Sequence, residues 1–573
     1  MKTEDREMRR AVGFGLLTAV VLGLSLALHL SGGTGHSGQS KNRSVWGRLG
    51  NTSQLPLVWY SGSGLWAYEP RSQRKLILTE GYGGGMDRLT ETDTNQNPAD
   101  FCKFTKDGSR VYYLKGLTTC GSGSAERKIC GDLYGRDLSS GGKARKERLF
   151  SEKVSRYDIL SDGQLICLSS NGDLCRIGWK GEREIILPGI RAYWISEDKE
   201  RLFFVSQSGK GYRYETANRR RDQIADGVGE VAFTAADLSG IYYFTESQDL
   251  FFIDGLERAR IVDVDVQTLS VVAGTGHAYY LKKAGGELIP APDPGAAPST
   301  SPKGQPLQGT GDAASGGTSE HTMTLSYFDG ACSLEVLPGV SYLETRFAEV
   351  LKRDRILVCL GMSGQYRVYL VREGTALDTG LSLTDETVKD VCLNGTDDLF
   401  YFVREEKKGE GQVFSRQYTE SGLGEEHSQG IRADLVIAAG AERLFTGRFS
   451  KDPSVIDFSV NGREIAKQVS GYYWDESGAK KEMYFYRNVF QSGYYTSGEL
   501  DFWSGEEGEA VVPLAYNVKE YHVFPDSAAT ILTEYDEEMG KGTLLYWMGS
   551  GDVKQIAEDA VGTKHGLGEG DRE

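Results

Sequence analysis

The sequence is built from short apolar segments of strand length that recur in groups of four. One group reads VAFTAAD from Val231, IYYFTES from Ile241, DLFFIDG from Asp249 and ARIVD from Ala259. Each segment is too short for a helix, and turn residues separate it from the next. Four strands within about 33 residues predict one four-stranded antiparallel sheet.

The same pattern returns along most of the chain. A partial unit covers residues 57–81, and further units start near residues 101, 157, 193, 231, 268, 345, 388, 433, 471 and 518. Repeats of about 35–50 residues with four strands each are typical of β-propeller blades. The sequence therefore predicts an all-β fold made of propeller blades.

These units outnumber the four to eight blades usual for one propeller. We therefore expect two propellers, at residues 53–284 and 321–565, with one large propeller as the alternative. Residues 285–320 between them include PAPDPGAAPSTSPKGQP and are rich in Pro, Gly and Ser. This composition is typical of a disordered linker. A long hairpin insertion within one unit remains open, because HAYYLKK before it and TMTLSYFDG after it could pair.

Residues 11–30 form an uncharged apolar stretch, AVGFGLLTAVVLGLSLALHL, long enough to cross a bilayer. It predicts one N-terminal transmembrane helix that anchors the chain to the cell membrane as a single-pass protein. Basic residues concentrated just before it favour a cytoplasmic segment 1–10 and an extracytoplasmic remainder. Residues 31–52 read as a flexible tether, and residues 566–573 as a tail. A cleaved signal peptide is the alternative.

Composition agrees with a folded all-β protein. The chain has 573 residues, of which 39% are hydrophobic and 25% charged, values that exclude wholesale disorder. Its 73 Gly and 30 Tyr suit many strands joined by tight turns. Because 65 Lys and Arg face 81 Asp and Glu, the net charge is −16, and we expect no nucleic-acid partner.

Several strand starts share a local pattern, an acidic turn followed by an apolar aromatic strand. They are KDGSRVYYL at Lys106, SDGQLICL at Ser161, SEDKERLFFV at Ser196 and ADLSGIYYF at Ala236. On these segments the chain resembles bacterial WD40-like or TolB-like β-propeller repeat proteins. With the N-terminal span, it is also similar to membrane-anchored envelope proteins of Gram-positive bacteria. The resemblance implies a propeller held in the cell envelope.

The cysteines point to disulfides and not to metal. None of the eight lies in a C-x-x-C pair, and His is sparse, so we expect no metal site and no cofactor. Cys167 and Cys175 flank the turn SSNGD on facing strands, and Cys120 and Cys130 flank the loop GSGSAERKI. Both pairs are candidate disulfides, with burial as small core residues as the alternative for Cys167.

No catalytic residue is predicted. No G-x-S-x-G segment has a strand–turn–helix setting, and no segment matches the helices of an α/β-hydrolase. The acid pair Asp475 and Glu476 lies in a turn-like segment where solvated carboxylates are ordinary. Tyr472, Tyr473 and Trp474 are candidate binding aromatics that could stack on sugar rings, although such side chains also fill the space between blades.

Together these features predict a membrane-anchored extracytoplasmic propeller that acts as a non-enzymatic binding or scaffolding module. Its expected partners are a protein or glycan of the cell envelope, besides the membrane that holds the N-terminal helix. A propeller-type carbohydrate-active hydrolase is the alternative function. Carboxylates that converge at the inner ends of strands, with perturbed ionisation, would distinguish the hydrolase from the binding module.

Overall fold

The computed structural model describes the chain between residues 57 and 563 as strands joined by turns, with no α-helix. Within that range it leaves out residues 63, 71–72, 81–100, 106, 121–127, 139–146, 273–274, 284–322, 341, 347–354, 363–364, 385–386, 394–398, 408, 420–421, 440–442, 453, 475–480, 493–494, 507 and 525–527. The predicted all-β fold with four-stranded antiparallel sheets is confirmed for the described residues.

The strands are numbered in chain order. The first group comprises β1 (Leu57–Ser61), β2 (Gly64–Glu69), β3 (Arg74–Glu80), β4 (Cys102–Phe104), β5 (Arg110–Cys120), β6 (Lys128–Asp137), β7 (Arg148–Ile159), β8 (Leu165–Ser169), β9 (Leu174–Ile177), β10 (Arg183–Leu187), β11 (Ile190–Ile195), β12 (Arg201–Ser206), β13 (Gly211–Glu215) and β14 (Arg220–Ala225). The second comprises β15 (Glu230–Thr234), β16 (Gly240–Phe244), β17 (Leu250–Asp254), β18 (Arg260–Asp263), β19 (Val266–Val271), β20 (Ala278–Lys283), β21 (Met323–Phe328), β22 (Ser333–Val340), β23 (Tyr342–Arg346), β24 (Arg355–Met362), β25 (Gln365–Arg372), β26 (Thr375–Ser382) and β27 (Val388–Leu393). The third comprises β28 (Leu399–Lys407), β29 (Glu410–Thr419), β30 (Gly422–Leu423), β31 (His427–Arg432), β32 (Leu435–Ala439), β33 (Leu444–Phe449), β34 (Ile456–Val460), β35 (Arg463–Trp474), β36 (Met483–Ser492), β37 (Tyr495–Trp503), β38 (Val512–Val523), β39 (Ala529–Asp536), β40 (Lys541–Trp547) and β41 (Lys554–Thr563).

In the described part of the chain, four units are separate sheets of four consecutive antiparallel strands: β11–β14, β15–β18, β19–β22 and β23–β26. Elsewhere one long strand serves two units. In β7, residues 148–154 pair with β6 as the last strand of one unit, and residues 154–159 pair with β8 as the first strand of the next. The strands β35, β38 and β41 are divided in the same way.

The two ends of the described chain meet in one sheet. The last residues of β41 pair with β1, placing Thr563 opposite Trp59 and Ala560 opposite Ser61. Strands β1–β3 thus form a unit of three strands, and the end of β41 supplies the fourth, which takes the place of its first strand.

Strands β20 and β21 flank the Pro-rich segment and pair with each other in continuous register, from Ala278 opposite Phe328 to Lys283 opposite Met323. They are the middle strands of the sheet β19–β20–β21–β22. Residues 284–322 thus connect two strands of one unit, the arrangement expected of an insertion, and this sheet runs across the boundary predicted between two propellers. The grouping of units into one or two propellers stays a prediction.

Turns between the first and second strands repeat one set of hydrogen bonds. Asp107 accepts a bond from the Thr105 hydroxyl at 2.6 Å and another from the amide two residues beyond it at 3.0 Å. Asp198 accepts the equivalent bonds from the Ser196 hydroxyl and from the amide two residues beyond it. Side chains that bond locally in this way favour turns over continued strand. The acidic residues identified in the sequence therefore stabilise these turns through local hydrogen bonds.

A second type of turn sets the spacing between units. The carbonyl of Gly172 accepts a bond from the amide of Ile190 in the next unit at 2.7 Å. The carbonyls of Gly209 and Gln248 bond to the next units in the same way, at 2.8 and 2.9 Å. All three residues have positive φ, and a Cβ at Gly172 would lie only 3.1 Å from the Ile190 carbonyl oxygen. Close approach of the next unit explains why glycine occupies that position.

The core lies between units and not within any one of them. In β16, Tyr242 packs into the cluster shared with the following unit and Tyr243 into the cluster shared with the preceding one. Because successive side chains of a strand point to opposite faces, both faces of this second strand are covered. That coverage explains why the second strands are continuous apolar runs and not alternating ones.

Eleven such clusters occur among the described residues, each between two successive units. One of them joins β38–β41 to β1 and β2, with Leu57, Trp59 and Tyr68 packed against Leu532 and Leu544. At about 1.5–3 kcal/mol for each large apolar side chain buried, every one of these contacts contributes substantially to stability.

The predicted N-terminal segments, 1–10, 11–30 and 31–52, and the tail 566–573 lie outside the described residues, so the transmembrane helix stays a prediction. Among the residues that the structure does describe, no helix is long and apolar enough to span a membrane.

Candidate binding edge

Each unit begins with a first strand, and several of these first strands carry charged side chains that contact the next unit. We call this set of strands the first-strand edge. It comprises β4, residues 154–159 of β7, β11, β15, β19, β23, β27, β32, residues 469–474 of β35, residues 518–523 of β38 and residues 560–563 of β41.

One buried carboxylate ties three successive first strands together. Asp158 in β7 contacts the Lys103 ammonium of β4 at 2.9 Å and accepts a 2.8 Å hydrogen bond from the Tyr193 hydroxyl of β11. The guanidinium of Arg156 lies 3.8 Å from the same carboxylate. Two cations and a hydroxyl therefore offset the cost of burying Asp158.

Aromatic rings extend this network. The Arg156 guanidinium lies 4.8 Å from the centre of the Tyr193 ring, and the Lys103 ammonium lies 5.6 Å from that of Tyr157. Burial, with the negative charge of Asp158, raises the pKa of Tyr193 well above its usual value. Tyr193 therefore stays protonated at neutral pH and acts as a fixed hydrogen-bond donor, not as a base.

Polar bridges join other first strands as well. Arg191 of β11 donates to the carbonyl of Gly229 at 2.6 Å, immediately before β15. Farther along the chain, Asp390 of β27 accepts a 2.8 Å bond from the amide of Val436 in β32, and the Lys389 ammonium lies 3.5 Å from Asp434. The edge thus holds unlike charges in fixed positions on a packed frame.

Some polar groups on this edge remain accessible. Glu230 at the start of β15 is exposed, and on β38 the His522 ring lies 2.6 Å from the partly exposed carboxylate of Glu520. Accessible polar groups held on a packed frame can contact a ligand at little cost in reorganisation.

The predicted binding aromatics lie on residues 469–474 of β35, within the first-strand edge. Tyr472 is half-buried, and its ring centre lies 5.6 Å from that of Phe458 in the core between two units. Tyr473 points to the opposite face and is 41% exposed, 6.3 Å from the ring of Tyr484. The side chain of Trp474 lies outside the described residues. Of the described side chains in this group, that of Tyr473 therefore exposes a ring that a ligand could contact.

The predicted cysteine pairs lie in two different arrangements. Cys120 and Cys130 are joined by a disulfide between β5 and β6, with Cα atoms 6.0 Å apart. Cys167 and Cys175 face each other directly across β8 and β9, and both are free and buried.

Carboxylates with a raised pKa would indicate acid catalysis. Asp501 is one such group: burial raises its pKa, and the adjacent Arg487 guanidinium opposes that shift. Its side chain has no exposed surface, so a substrate as large as a glycan cannot reach it. The acid pair Asp475 and Glu476 lies outside the described residues, and within the described part of the chain no three His, Cys, Asp or Glu residues group to hold a metal ion.

Sequence reasoning did not identify Lys103, Asp158, Arg191 or Tyr193. A signal was present for two of them, because Lys103 in FCKF and Asp158 in YDIL each place a charge within an apolar strand. Such a charge is buried only with a partner. The partners lie 35 and 55 residues apart in the chain, and no local pattern indicates them.

No protein-family model matches the chain, and no curated protein sequence matches it. Among solved structures it is similar to the tricorn protease, at 11% identity over 89% of this chain, with a TM-score of 0.23. It spans only 63% of that protease chain. It is similar to PorZ, an essential bacterial surface component of the type-IX secretion system of Porphyromonas gingivalis, at 12% identity, 89% and 74% coverage of the two chains and a TM-score of 0.23.

The N-terminal domain of Nup159 is a third similar structure, at 11% identity, 57% coverage of this chain, 88% of that chain and a TM-score of 0.23. Similarities at this TM-score carry no argument about this chain. Its all-β repeat architecture rests on the strand pairing described above.

Proposed function

We propose that this protein is a membrane-anchored extracytoplasmic binding or scaffolding module whose partner is a protein or glycan of the cell envelope. The first-strand edge carries the proposal, since the exposed Glu230, the paired Glu520 and His522, and the 41% exposed ring of Tyr473 all lie on it. The buried contacts of Asp158 hold neighbouring strands of this edge in place. Paired charges and exposed aromatic faces suit a partner held by contact area and polar complementarity. The anchor at residues 11–30 would place this edge at the outer face of the membrane.

For the architecture that carries this surface, we infer a single closed WD40-like or TolB-like propeller of eleven units. This is the one-propeller alternative of the sequence analysis and replaces the expected pair of propellers. The support is that, among the described residues, a core cluster joins each unit to the next, including the last to the first. Two separate rings would instead require a missing contact between successive units. Electron-microscopy class averages of the detergent-solubilised protein test this inference: a single ring is expected, and two smaller lobes would overturn it.

Binding is tested by screening the full-length protein against envelope glycans and peptides. Once a ligand is found, Glu230→Lys on the first-strand edge is expected to lower its affinity at least about fivefold, the effect of a contact worth about 1 kcal/mol. Glu257→Lys is the matched control, because Glu257 is also an exposed glutamate but lies in the turn between β17 and β18. Equal effects of the two variants would exclude the edge as the binding surface.

The same screen tests the hydrolase alternative. Turnover of any glycan that is lost on neutralising a carboxylate of the first-strand edge would favour an enzyme over a binding module.

Topology is tested separately with intact cells. Added protease is expected to remove the mass after residue 31 and leave a small membrane-embedded fragment. Protection of the β-strand region would overturn the proposed extracytoplasmic location.

A further inference from the structure

Two free cysteines lie opposite each other on adjacent strands. Cys167 in β8 and Cys175 in β9 are paired in register, and residues opposite each other in an antiparallel pair have Cβ atoms about 4.5–5.5 Å apart. Both side chains belong to the apolar cluster between two units, and neither has exposed surface. The two thiols are hydrogen-bonded to each other, and a small approach of the two strands would bring their Cβ atoms to the roughly 3.5–4.5 Å of a disulfide.

A guanidinium covers one of the two sulfurs. In Arg183, Nη2 lies 3.2 Å and Nε 3.4 Å from the Sγ of Cys175. Arg183 is exposed and belongs to β10, which is the last strand of its sheet. The cation therefore reaches the sulfur from the solvent side. Two N–H groups directed at one sulfur stabilise the thiolate more than the thiol.

The surroundings shift the pKa values of the two thiols in opposite directions. The hydrogen bond from Cys167 and the Arg183 guanidinium together lower the pKa of Cys175 to about 6, against the opposing effects of burial and of the Asp173 charge. The same bond, with burial, raises the pKa of Cys167. The Arg183 charge and the hydroxyls of Ser151 and Tyr193 also interact with Cys167. One sulfur is therefore a nucleophile at neutral pH, and the other is a protonated thiol beside it.

We propose that Cys175 and Cys167 form a peroxide-sensitive thiol–disulfide site, in which Cys175 reacts first and Cys167 resolves it. The Cys175 thiolate attacks one peroxide oxygen; the O–O bond breaks, and the leaving hydroxide takes a proton to become water. Cys175 is then a sulfenic acid. The Cys167 sulfur attacks it, the S–S bond forms, the S–O bond breaks, and the Cys167 proton leaves with the second water.

The balance is two thiols oxidised to one disulfide and one hydrogen peroxide reduced to two waters. Hydrogen peroxide is small and uncharged, so it can reach a sulfur behind one side chain, whereas a bulky disulfide reagent cannot. The site differs in this respect from Cys120–Cys130, which is already joined. It also differs from Cys332, a free cysteine that is exposed.

The test treats the full-length protein with hydrogen peroxide, alkylates the remaining thiols under denaturing conditions and identifies the cysteine peptides by mass spectrometry. We expect a Cys167–Cys175 disulfide that dithiothreitol reverses, and in Cys167→Ser a Cys175 sulfenic acid trapped by dimedone. At pH 7 a thiol of pKa about 6 is about nine-tenths thiolate, against about one-hundredth for an ordinary thiol. The wild-type rate should therefore level off above about pH 7.

Arg183→Gln tests the role of the guanidinium. It should slow disulfide formation at pH 7 about threefold or more and move the midpoint of the pH–rate profile upward. Arg221→Gln is the matched control, because its guanidinium bonds the carbonyl of Ile186 and no sulfur. If Arg183→Gln fails to fold, the wild-type pH profile decides. The proposal is overturned if both thiols survive peroxide, if Cys167→Ser gives no adduct at Cys175, or if the wild-type rate keeps rising to pH 9.

Discussion

Replacing Tyr193 by Phe should remove one defined bond between two units. The Tyr193 hydroxyl donates to Asp158 at 2.8 Å, and both side chains are buried, at 0% and 4% exposed. A hydrogen bond to a charged group contributes about 1.5–3 kcal/mol. The ring packing and the contact with Arg156 remain in the variant, and Asp158 keeps its contact with Lys103. We therefore expect a loss of about 2 kcal/mol in the free energy of unfolding.

Tyr243→Phe is the matched control for this prediction. Tyr243 is equally buried, but its hydroxyl donates to an uncharged carbonyl, that of Asp226, at the longer distance of 3.4 Å. Its removal should cost less than about 1 kcal/mol. Urea unfolding of both variants, with unchanged slopes, measures the difference, and hydrogen exchange should show faster opening of β7 and β11 in Tyr193→Phe alone. Equal losses in the two variants would refute the reasoning that Asp158 joins these strands.

Three further predictions concern the turns and the disulfide. Gln248→Gly should raise the free energy of unfolding by up to about 1 kcal/mol in urea, because Gln248 is exposed and has φ of 65°; a loss of stability would show that its side chain matters. Hydrogen bonds from neighbouring hydroxyls and an amide lower the pKa of Asp107 to about 2. Its stabilising effect should therefore be present above about pH 4 and be lost as the pH falls through about 2, so that an Asp107→Asn variant loses less stability over that interval than the wild type does. Reducing the Cys120–Cys130 disulfide should cost about 2–3 kcal/mol in urea unfolding, the loop-closure value for a short loop, and a Cys120→Ser variant should show no further loss on reduction.

Local features of the fold were predictable from the sequence. The acidic turn at Asp107 is held by hydrogen bonds to groups within two residues of it, so the local sequence is enough to predict the turn. The second strands, such as the one with Tyr242 and Tyr243, were predicted from their length and bounding turn residues, and the structure shows that both faces are covered. The first-strand edge was predicted only in part, because Tyr473 was identified on it while Asp158 and Tyr193 were not.

The sequence by itself determined that this chain is an all-β protein made of repeated four-strand units, since strand length and turn chemistry are local properties. Only the tertiary structure decided that β41 pairs with β1, that β20 pairs with β21 across residues 284–322, and that Lys103 meets Asp158. The physical reason is that backbone hydrogen bonds between strands are the same for every sequence. The many similar strands of this chain offer near-equivalent partners, and packing of the whole chain selects among them.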